Sequence, residues 1–361
     1  MKITFVSPAD SLTGGHRVMA IYARSLMARG HTVEVVCNAP DRFSLREQFR
    51  ALRHGRWWET RDQMKPKPGH LAAYGVPHRV LDRPRPVTAA DLPTADVVIA
   101  TWWCTANWVA DLPPGKGAKV HFMQDYEIWG GPKEQVDATC RLPMPKITPA
   151  QWLKDLLCDK FGQTRVTLAP NAVDFKTFSA PPRNKQAIPT VGFTYTSFHA
   201  KGSDIIIEAI RLARLRRPDL LVVCVSSTMP TSAMPLPAGT EFHLRATDEI
   251  LRICYGACDA WLFGTRKEGF GLPILEAMAC RTPVIGTPAG AALELLADGA
   301  GVLVPAENPQ AMADAILELC AMTDVEWRIL SEAAHRKACS YTWEDATDLF
   351  EAALQDAVLD R

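Results

Sequence analysis

Short apolar runs separated by amphipathic stretches recur along the whole chain. Ile3–Ser7 has the length and apolar character of a buried strand. From Gly14 to Arg29, Val18, Ile21, Tyr22 and Leu26 fall on one helical face, and Gly30 supplies a left-handed stop. Val33–Cys37 is the next strand, and Val97–Thr101, Val120–Met123 and Val166–Leu168 continue the pattern. Strands alternating with helices predict a parallel sheet covered on both faces.

Pro181-Pro182-Arg183-Asn184 reads as a linker, after which a second alternating series begins. Its strands are Thr190–Thr194, Leu220–Ser226, Ala260–Phe263, Pro283–Gly286 and Gly301–Val304. Ser203 to Arg214 is a helix, and Thr323-Asp324-Val325-Glu326 is a capping box opening a late one. The last helix begins near Thr342. At 361 residues, two cores are expected rather than one. The expectation is therefore α/β, with two Rossmann-like doubly wound domains, 1–180 and 181–342, whose ligands bind at the carboxyl ends of the strands.

Charge narrows the partners. The net charge is zero, so nucleic acid is not expected. From Arg42 to Arg85 there are eleven Lys/Arg against four Asp/Glu, and from Asp298 to Arg361 four against thirteen. Two solvated faces of opposite sign account for this. So does a basic segment, 42–85, that touches an anionic membrane or a lipid-diphosphate acceptor. Trp57 and Trp58 within it favour an interface. No run approaches the ~18 apolar residues of a membrane helix, and Met1–Val6 reads as a strand, not a leader. The ten cysteines form no C-x-x-C pair, which fits a reducing cytoplasm and no structural zinc. The protein is expected to be cytoplasmic, at most peripheral on the inner face of the cell membrane.

The densest chemistry lies in Lys267-Glu268-Gly269-Phe270-Gly271-Leu272-Pro273-Ile274-Leu275-Glu276. Pro273 suits the first helical position, and Gly269 and Gly271 leave backbone N–H groups open. Those donors suit a phosphate at a helix N-terminus, and the flanking carboxylates suit hydroxyls. Phosphate and polyol together suggest a sugar nucleotide. In the first turn of the helix, Glu276 also complements the helix dipole. Gly14-Gly15 follows the first strand, and Lys201-Gly202 follows the first strand of the second series. Glycines there allow close backbone approach, and a lysine pairs with a diphosphate as a point charge.

Glu268 to Glu276 resembles the glutamate–seven–glutamate signature of the retaining glycosyltransferases of family 4. The resemblance spans nearly the whole chain and implies the GT-B fold, two Rossmann-like domains facing across a cleft. It implies a terminal helix, 343–361, that packs back on the first domain. It also implies that Glu268 contacts the donor sugar and Glu276 the ribose. Gly269, Phe270, Gly271 and Leu272 would offer backbone contacts, Lys201 would hold the diphosphate, and Gly14-Gly15 would form the first Gly-rich loop. Glu294, after Pro288-Ala289-Gly290, resembles a second helix glutamate of the site. Pro170-Asn171-Ala172-Val173-Asp174 resembles the family's interdomain segment, with Ala172 in place of glycine.

The chain departs from the family pattern where an arginine usually stands six residues before the lysine. Tyr195 occupies that position, so Tyr195 or Arg266 is expected to compensate. At the exit of Val120–Met123, Asp125 is the candidate for contact with donor sugar or acceptor hydroxyl, while His121 reads as a core histidine. Trp102, Trp103 and Trp108 read as core packing before sugar stacking.

The resemblance thus implies transfer from a nucleotide-diphosphate sugar to a glycan or lipid-linked acceptor of bacterial surface polysaccharide synthesis, with no metal and no other cofactor. The alternatives are a sugar-nucleotide epimerase or hydrolase, and a non-catalytic nucleotide-sugar-binding subunit.

Overall fold

The computed structural model describes residues 1–40, 53 and 69–361, which fall into two compact units. The first comprises Met1–Thr148, Leu153–Ala169 and Thr347–Arg361, and the second Pro149–Trp152 and Pro170–Ala346. Most of the basic segment, with Trp57 and Trp58, lies outside the described residues.

The first unit holds a seven-stranded parallel sheet in the order β3-β2-β1-β4-β5-β6-β7. The strands are β1 (Lys2–Ser7), β2 (Thr32–Cys37), β3 (His78–Val80), β4 (Val97–Ala100), β5 (Ala118–Phe122), β6 (Lys146–Thr148) and β7 (Val166–Leu168). Helices α1 (Gly14–Ala28), α2 (Trp103–Ala110) and α3 (Lys133–Cys140) cover it. Aromatic rings close the core: Tyr22 stacks on Phe350 at 4.3 Å, and Phe122 meets Phe350 edge-on at 5.1 Å. Phe350 belongs to the C-terminal helix Trp343–Leu359, whose Glu351 accepts hydrogen bonds from Arg29 and His31, both at 2.8 Å.

The second unit holds a six-stranded parallel sheet in the order β10-β9-β8-β11-β12-β13. Its strands are β8 (Thr190–Tyr195), β9 (Leu221–Ser226), β10 (Glu241–Leu244), β11 (Ala260–Phe263), β12 (Val284–Gly286) and β13 (Val302–Leu303). Helix α4 (Ser203–Arg214) follows β8, and α5 (Asp248–Gly256) precedes β11. Helix α6 (Leu272–Ala279) follows β11, with α7 (Ala292–Leu295) beyond β12. Trp261 packs against Tyr255 at 4.4 Å, and buried Trp327 donates its indole N–H to Asp259 O at 3.0 Å.

Strand ends match the sequence expectations to within a residue or two, the usual uncertainty at element ends. The expected capping box is present, with Thr323 and Glu326 bonding each other's backbone. Three strands were not anticipated. His78–Val80 is exposed throughout, Lys146–Thr148 carries a lysine, and Glu241–Leu244 is a polar edge strand. Trp102 closely follows β4, and Trp103 and Trp108 lie on the helix after it. Among the described residues no helix is long and apolar enough to cross a membrane.

Candidate functional site at the switch point of the second sheet

In the second sheet the chain runs from β8 to one side through β9 and β10, then returns to β11 and continues to the other side. The strand order therefore reverses between β8 and β11. A crevice opens at the carboxyl ends of such a pair, where open α/β sheets bind ligands.

Two side chains meet there. Lys201, in the turn after β8, places Nζ 2.7 Å from Glu268 Oε2, in the loop after β11. The backbone makes this possible. Gly202 has φ +65°, and a Cβ there would lie 1.8 Å from Gly264 O, so the two loops touch main chain to main chain. Arg266 N and Lys267 N both donate to Ala200 O, at 2.8 and 3.1 Å. Glu268 is also packed from below: a Cβ on Gly290 would lie 3.0 Å from its side chain and 2.7 Å from Phe270 O. Ala291 N bonds Phe270 O at 2.9 Å, and Gly269 N donates to Glu268 Oε1 at 3.3 Å.

Arg266 does not present a free guanidinium to this crevice. It grips Asp204 in a two-pronged pair at 2.8 Å, bonds Glu307 through Nε and Nη2, and donates to His199 O at 2.7 Å. Hydrogen bonds from Asp204, then from Glu307, raise its pKa, and the guanidinium lowers that of Asp204. Glu307 makes this contact from a left-handed backbone at φ 56°, unusual for a residue other than glycine. Arg266 thus braces the turn that carries Lys201.

Tyr195 is likewise committed elsewhere. It is buried, its hydroxyl donates to Met234 O at 3.1 Å, and it accepts from Thr231 N at 3.0 Å. The loop after β9 thus holds the hydroxyl, and the structure does not bring it to Lys201 and Glu268.

Helix α6 opens at Leu272, after Gly271 at φ 103°, so Pro273 takes the second helical position instead of the first. Glu276 is correspondingly the fifth residue, and no acidic residue lies in the first turn. The dipole role expected for it is therefore withdrawn, because that effect fades beyond the first turn. Glu276 is 6% exposed, and its Oε2 accepts from the Tyr255 hydroxyl at 2.9 Å. Glu294 lies in the first turn of α7, where Oε1 accepts from Gln151 N at 3.0 Å.

Sequence reasoning missed Gln151 and Trp152. Trp152 donates its indole N–H to Gly269 O at 2.8 Å, fixing the peptide next to Glu268. The pair is distant in sequence and carries no motif, so only folding reveals it. Among the described residues no cluster of three or more His, Cys, Asp or Glu could hold a metal ion.

The first sheet has its own reversal, between β1 and β4. Gly14-Gly15 opens α1 beside it, and Gln124 Nε2 donates to Gly15 O at 3.1 Å. His16 bonds Ser7, Ser11 and Thr13, and burial lowers its pKa. Asp125 follows β5; its Oδ1 accepts from Tyr126 N at 2.7 Å and its Oδ2 from the Trp129 indole at 3.0 Å. His121 is buried, as expected of a core residue, but neither ring nitrogen is hydrogen-bonded, which is costly in a core.

Residues 187–322 match the family described as glycosyl transferases group 1. The matched stretch lies wholly within the second unit, and the two parallel-sheet units have the GT-B fold. Similar proteins include a D-inositol 3-phosphate glycosyltransferase of Paenarthrobacter aurescens, 27% identical over 63% of this chain and 60% of that protein. A protein of the same description from Corynebacterium urealyticum is 30% identical over 43% of this chain and 40% of its own length. The chain thus spans about 60% or less of the length of these curated relatives. Among solved structures, Anabaena HepE in complex with UDP-glucose superimposes with a TM-score of 0.74 at 18% identity, covering 99% of each chain. Sucrose-phosphate synthase from Thermosynechococcus elongatus superimposes with a TM-score of 0.71 at 16% identity, covering all of each chain.

Proposed function

We propose that this protein is a retaining glycosyltransferase that moves a sugar from a nucleotide-diphosphate sugar to an acceptor hydroxyl. The acceptor is a glycan or lipid-linked intermediate of bacterial surface polysaccharide synthesis. The observation that carries this reading is the Lys201–Glu268 pair at the sheet reversal, inside the stretch that matches the group 1 family. A cation and a carboxylate 2.7 Å apart suit a ligand that is both phosphate and polyol. A diphosphate would draw Lys201, leaving Glu268 to accept sugar hydroxyls. Glu276, held by Tyr255, accepts the ribose hydroxyls, and Glu294 closes the donor side.

Both glutamates come from one loop and the helix it opens. A glycosidase instead sets two carboxylates across the scissile bond. With the departing phosphate taking the acceptor proton on the same face, the protein supplies position and charge stabilisation. No metal is required in this scheme. The HepE complex with UDP-glucose favours a uridine donor.

The test is a thermal-shift screen against UDP, GDP, ADP and TDP, followed by transfer from the matching nucleotide sugar, with the product anomer read by NMR. Stabilisation by one nucleotide and a product of retained configuration are expected. An inverted product removes the retaining assignment, and loss of activity with a chelator removes the metal-free one. Release of free sugar with every acceptor would indicate a hydrolase.

One observation favours a non-catalytic nucleotide-sugar-binding subunit as the second reading. Tyr195 and Arg266 are both engaged within the unit, leaving Lys201 as the phosphate-facing cation of the predicted set. Binding without turnover across all acceptors would establish it. Peripheral membrane attachment through 42–85 is also proposed. Co-sedimentation with anionic but not neutral vesicles is the expected result.

A further inference from the structure

At the carboxyl ends of β4 and β5 in the first unit, two indoles meet edge to face. The Trp102 and Trp129 rings are 5.1 Å apart with planes at 72°. Trp129 is 50% exposed although it is a large aromatic ring. Its edge is not loose, because its N–H donates to Asp125 Oδ2 at 3.0 Å.

The surrounding backbone holds this corner rigid. Trp102 N donates to Thr105 Oγ1 at 2.9 Å, and Trp103 N to buried Glu127 Oε2 at 2.7 Å, fixing the start of α2. Burial pushes the Glu127 carboxyl well above the usual range. Glu127 O accepts from Gly130 N at 2.8 Å, and the Trp103 indole donates to Gly130 O at 3.2 Å. A Cβ on Gly130 would lie 2.6 Å from the Trp102 ring, and one on Gly131 would lie 2.4 Å from Trp103, so only bare backbone fits beneath the rings. Core packing accounts for Trp108, which lies against the apolar cluster of Val98, Ala106 and Val109. It does not account for a half-exposed Trp129 held in place by a carboxylate.

We propose that Trp129 and Trp102 form a stacking platform for a six-membered polyhydroxylated ring of the acceptor, with Asp125 accepting hydrogen bonds from its hydroxyls. The biological role of this occupant rests on the transferase reading. An aromatic face takes the C–H face of such a ring, and an adjacent carboxylate takes its equatorial hydroxyls. The carboxyl edge of a parallel sheet is where this fold class binds ligands. A pyranose and a cyclitol share this chemistry.

The experiment uses the full chain with 15N-labelled tryptophan and follows the indole N–H signals by NMR. The Trp129 signal is assigned by its loss in Trp129→Phe. Methyl α-D-glucopyranoside, myo-inositol and glycerol are titrated separately. Shifts of the Trp129 and Trp102 signals with the pyranoside, the inositol or both support the platform and identify which ring it takes. No shift with either ring, or an equal shift with glycerol, overturns it. Binding to Trp129→Ala, followed on the Trp102 signal, is expected to be about tenfold weaker, with Trp129→Phe keeping most of the affinity. Unchanged affinity in Trp129→Ala also overturns it. Wild-type nucleotide-sugar binding is measured in parallel. Ring binding without donor binding sinks the transferase reading alone, and sugar transfer without ring binding sinks the platform alone.

Discussion

Lys201 Nζ and Glu268 Oε2 lie 2.7 Å apart although 67 residues separate them in sequence. Each follows one of two adjacent strands whose onward connections diverge, so the ion pair straddles the point where the sheet reverses its order. Both side chains are partly exposed, at 35% and 19%, and such a pair contributes at most about 1 kcal/mol to folding. On the proposed reading, its value lies instead in two opposite charges placed for a ligand.

Replacing Lys201 should therefore separate activity from stability. Lys201→Ala is expected to lower kcat/KM about 100-fold or more while changing stability by less than about 1 kcal/mol. Parallel denaturant melts and initial rates check this. A proportional fall in both would make the pair structural.

Arg266→Ala should act on both quantities. The guanidinium holds Asp204, Glu307 and His199 O together, and its partners are solvent-accessible once released. The expected cost is about 1–2 kcal/mol of stability, with a roughly tenfold rise in donor KM as the Lys201 turn loosens. Arg266→Lys should recover little, since an ammonium cannot reproduce the two-pronged grip. An unchanged KM together with unchanged kcat would show that the brace does not reach the site.

Tyr195→Phe removes a hydroxyl that bridges Met234 O and Thr231 N. The expected loss is about 1 kcal/mol of stability, with nucleotide affinity unaltered. Isothermal titration with the nucleotide decides it. Weakened binding would return Tyr195 to the role of a phosphate contact.

His121 gives a pH dependence. Burial, then the charge of Lys146, pushes its folded-state pKa down to about 3, whereas an unfolded imidazole titrates near 6.5. Between those values the unfolded chain binds the extra proton. Stability is therefore full above about pH 6.5 and falls as the pH drops towards 3. Lys146 is pushed down to about 8, so it stays protonated across this window. His121→Leu should flatten the acid limb and gain stability at neutral pH, because it removes two ring nitrogens that lack hydrogen-bond partners. Urea midpoints measured from pH 7 to 4 test this, and an unchanged slope would assign the acid limb to other groups.

Much of the fold was legible because buried parallel strands are continuous apolar runs. Val97–Ala100 and Ala260–Phe263 are buried at every position, and both stand out in the sequence. His78–Val80 and Glu241–Leu244 escaped because edge strands are half solvated and lose that signature. Lys146 concealed β6: its stem is buried, and the ammonium is satisfied by Leu142 O, Met144 O and Gln163, which no local pattern announces.

Within the crevice, Lys201 and Glu268 stand out through the family resemblance, and the structure brings those two together on loops that leave adjacent strands. Which cations remain available could not be read from the sequence. The engagement of Arg266 by Asp204 and Glu307, and of Tyr195 by the loop after β9, depends on contacts 36 to 62 residues apart. The contribution of Trp152 to Gly269 is longer still, at 117 residues.

The contact between Gly202 and Gly264 O has a consequence for how such a protein can diversify. With 1.8 Å available, not even a methyl group fits, so the spacing of the Lys201 and Glu268 loops is closed to gradual adjustment. A lineage that keeps this crevice must keep that seam and vary the walls around it. The seam behaves as a fixed socket, and novelty is confined to the rim.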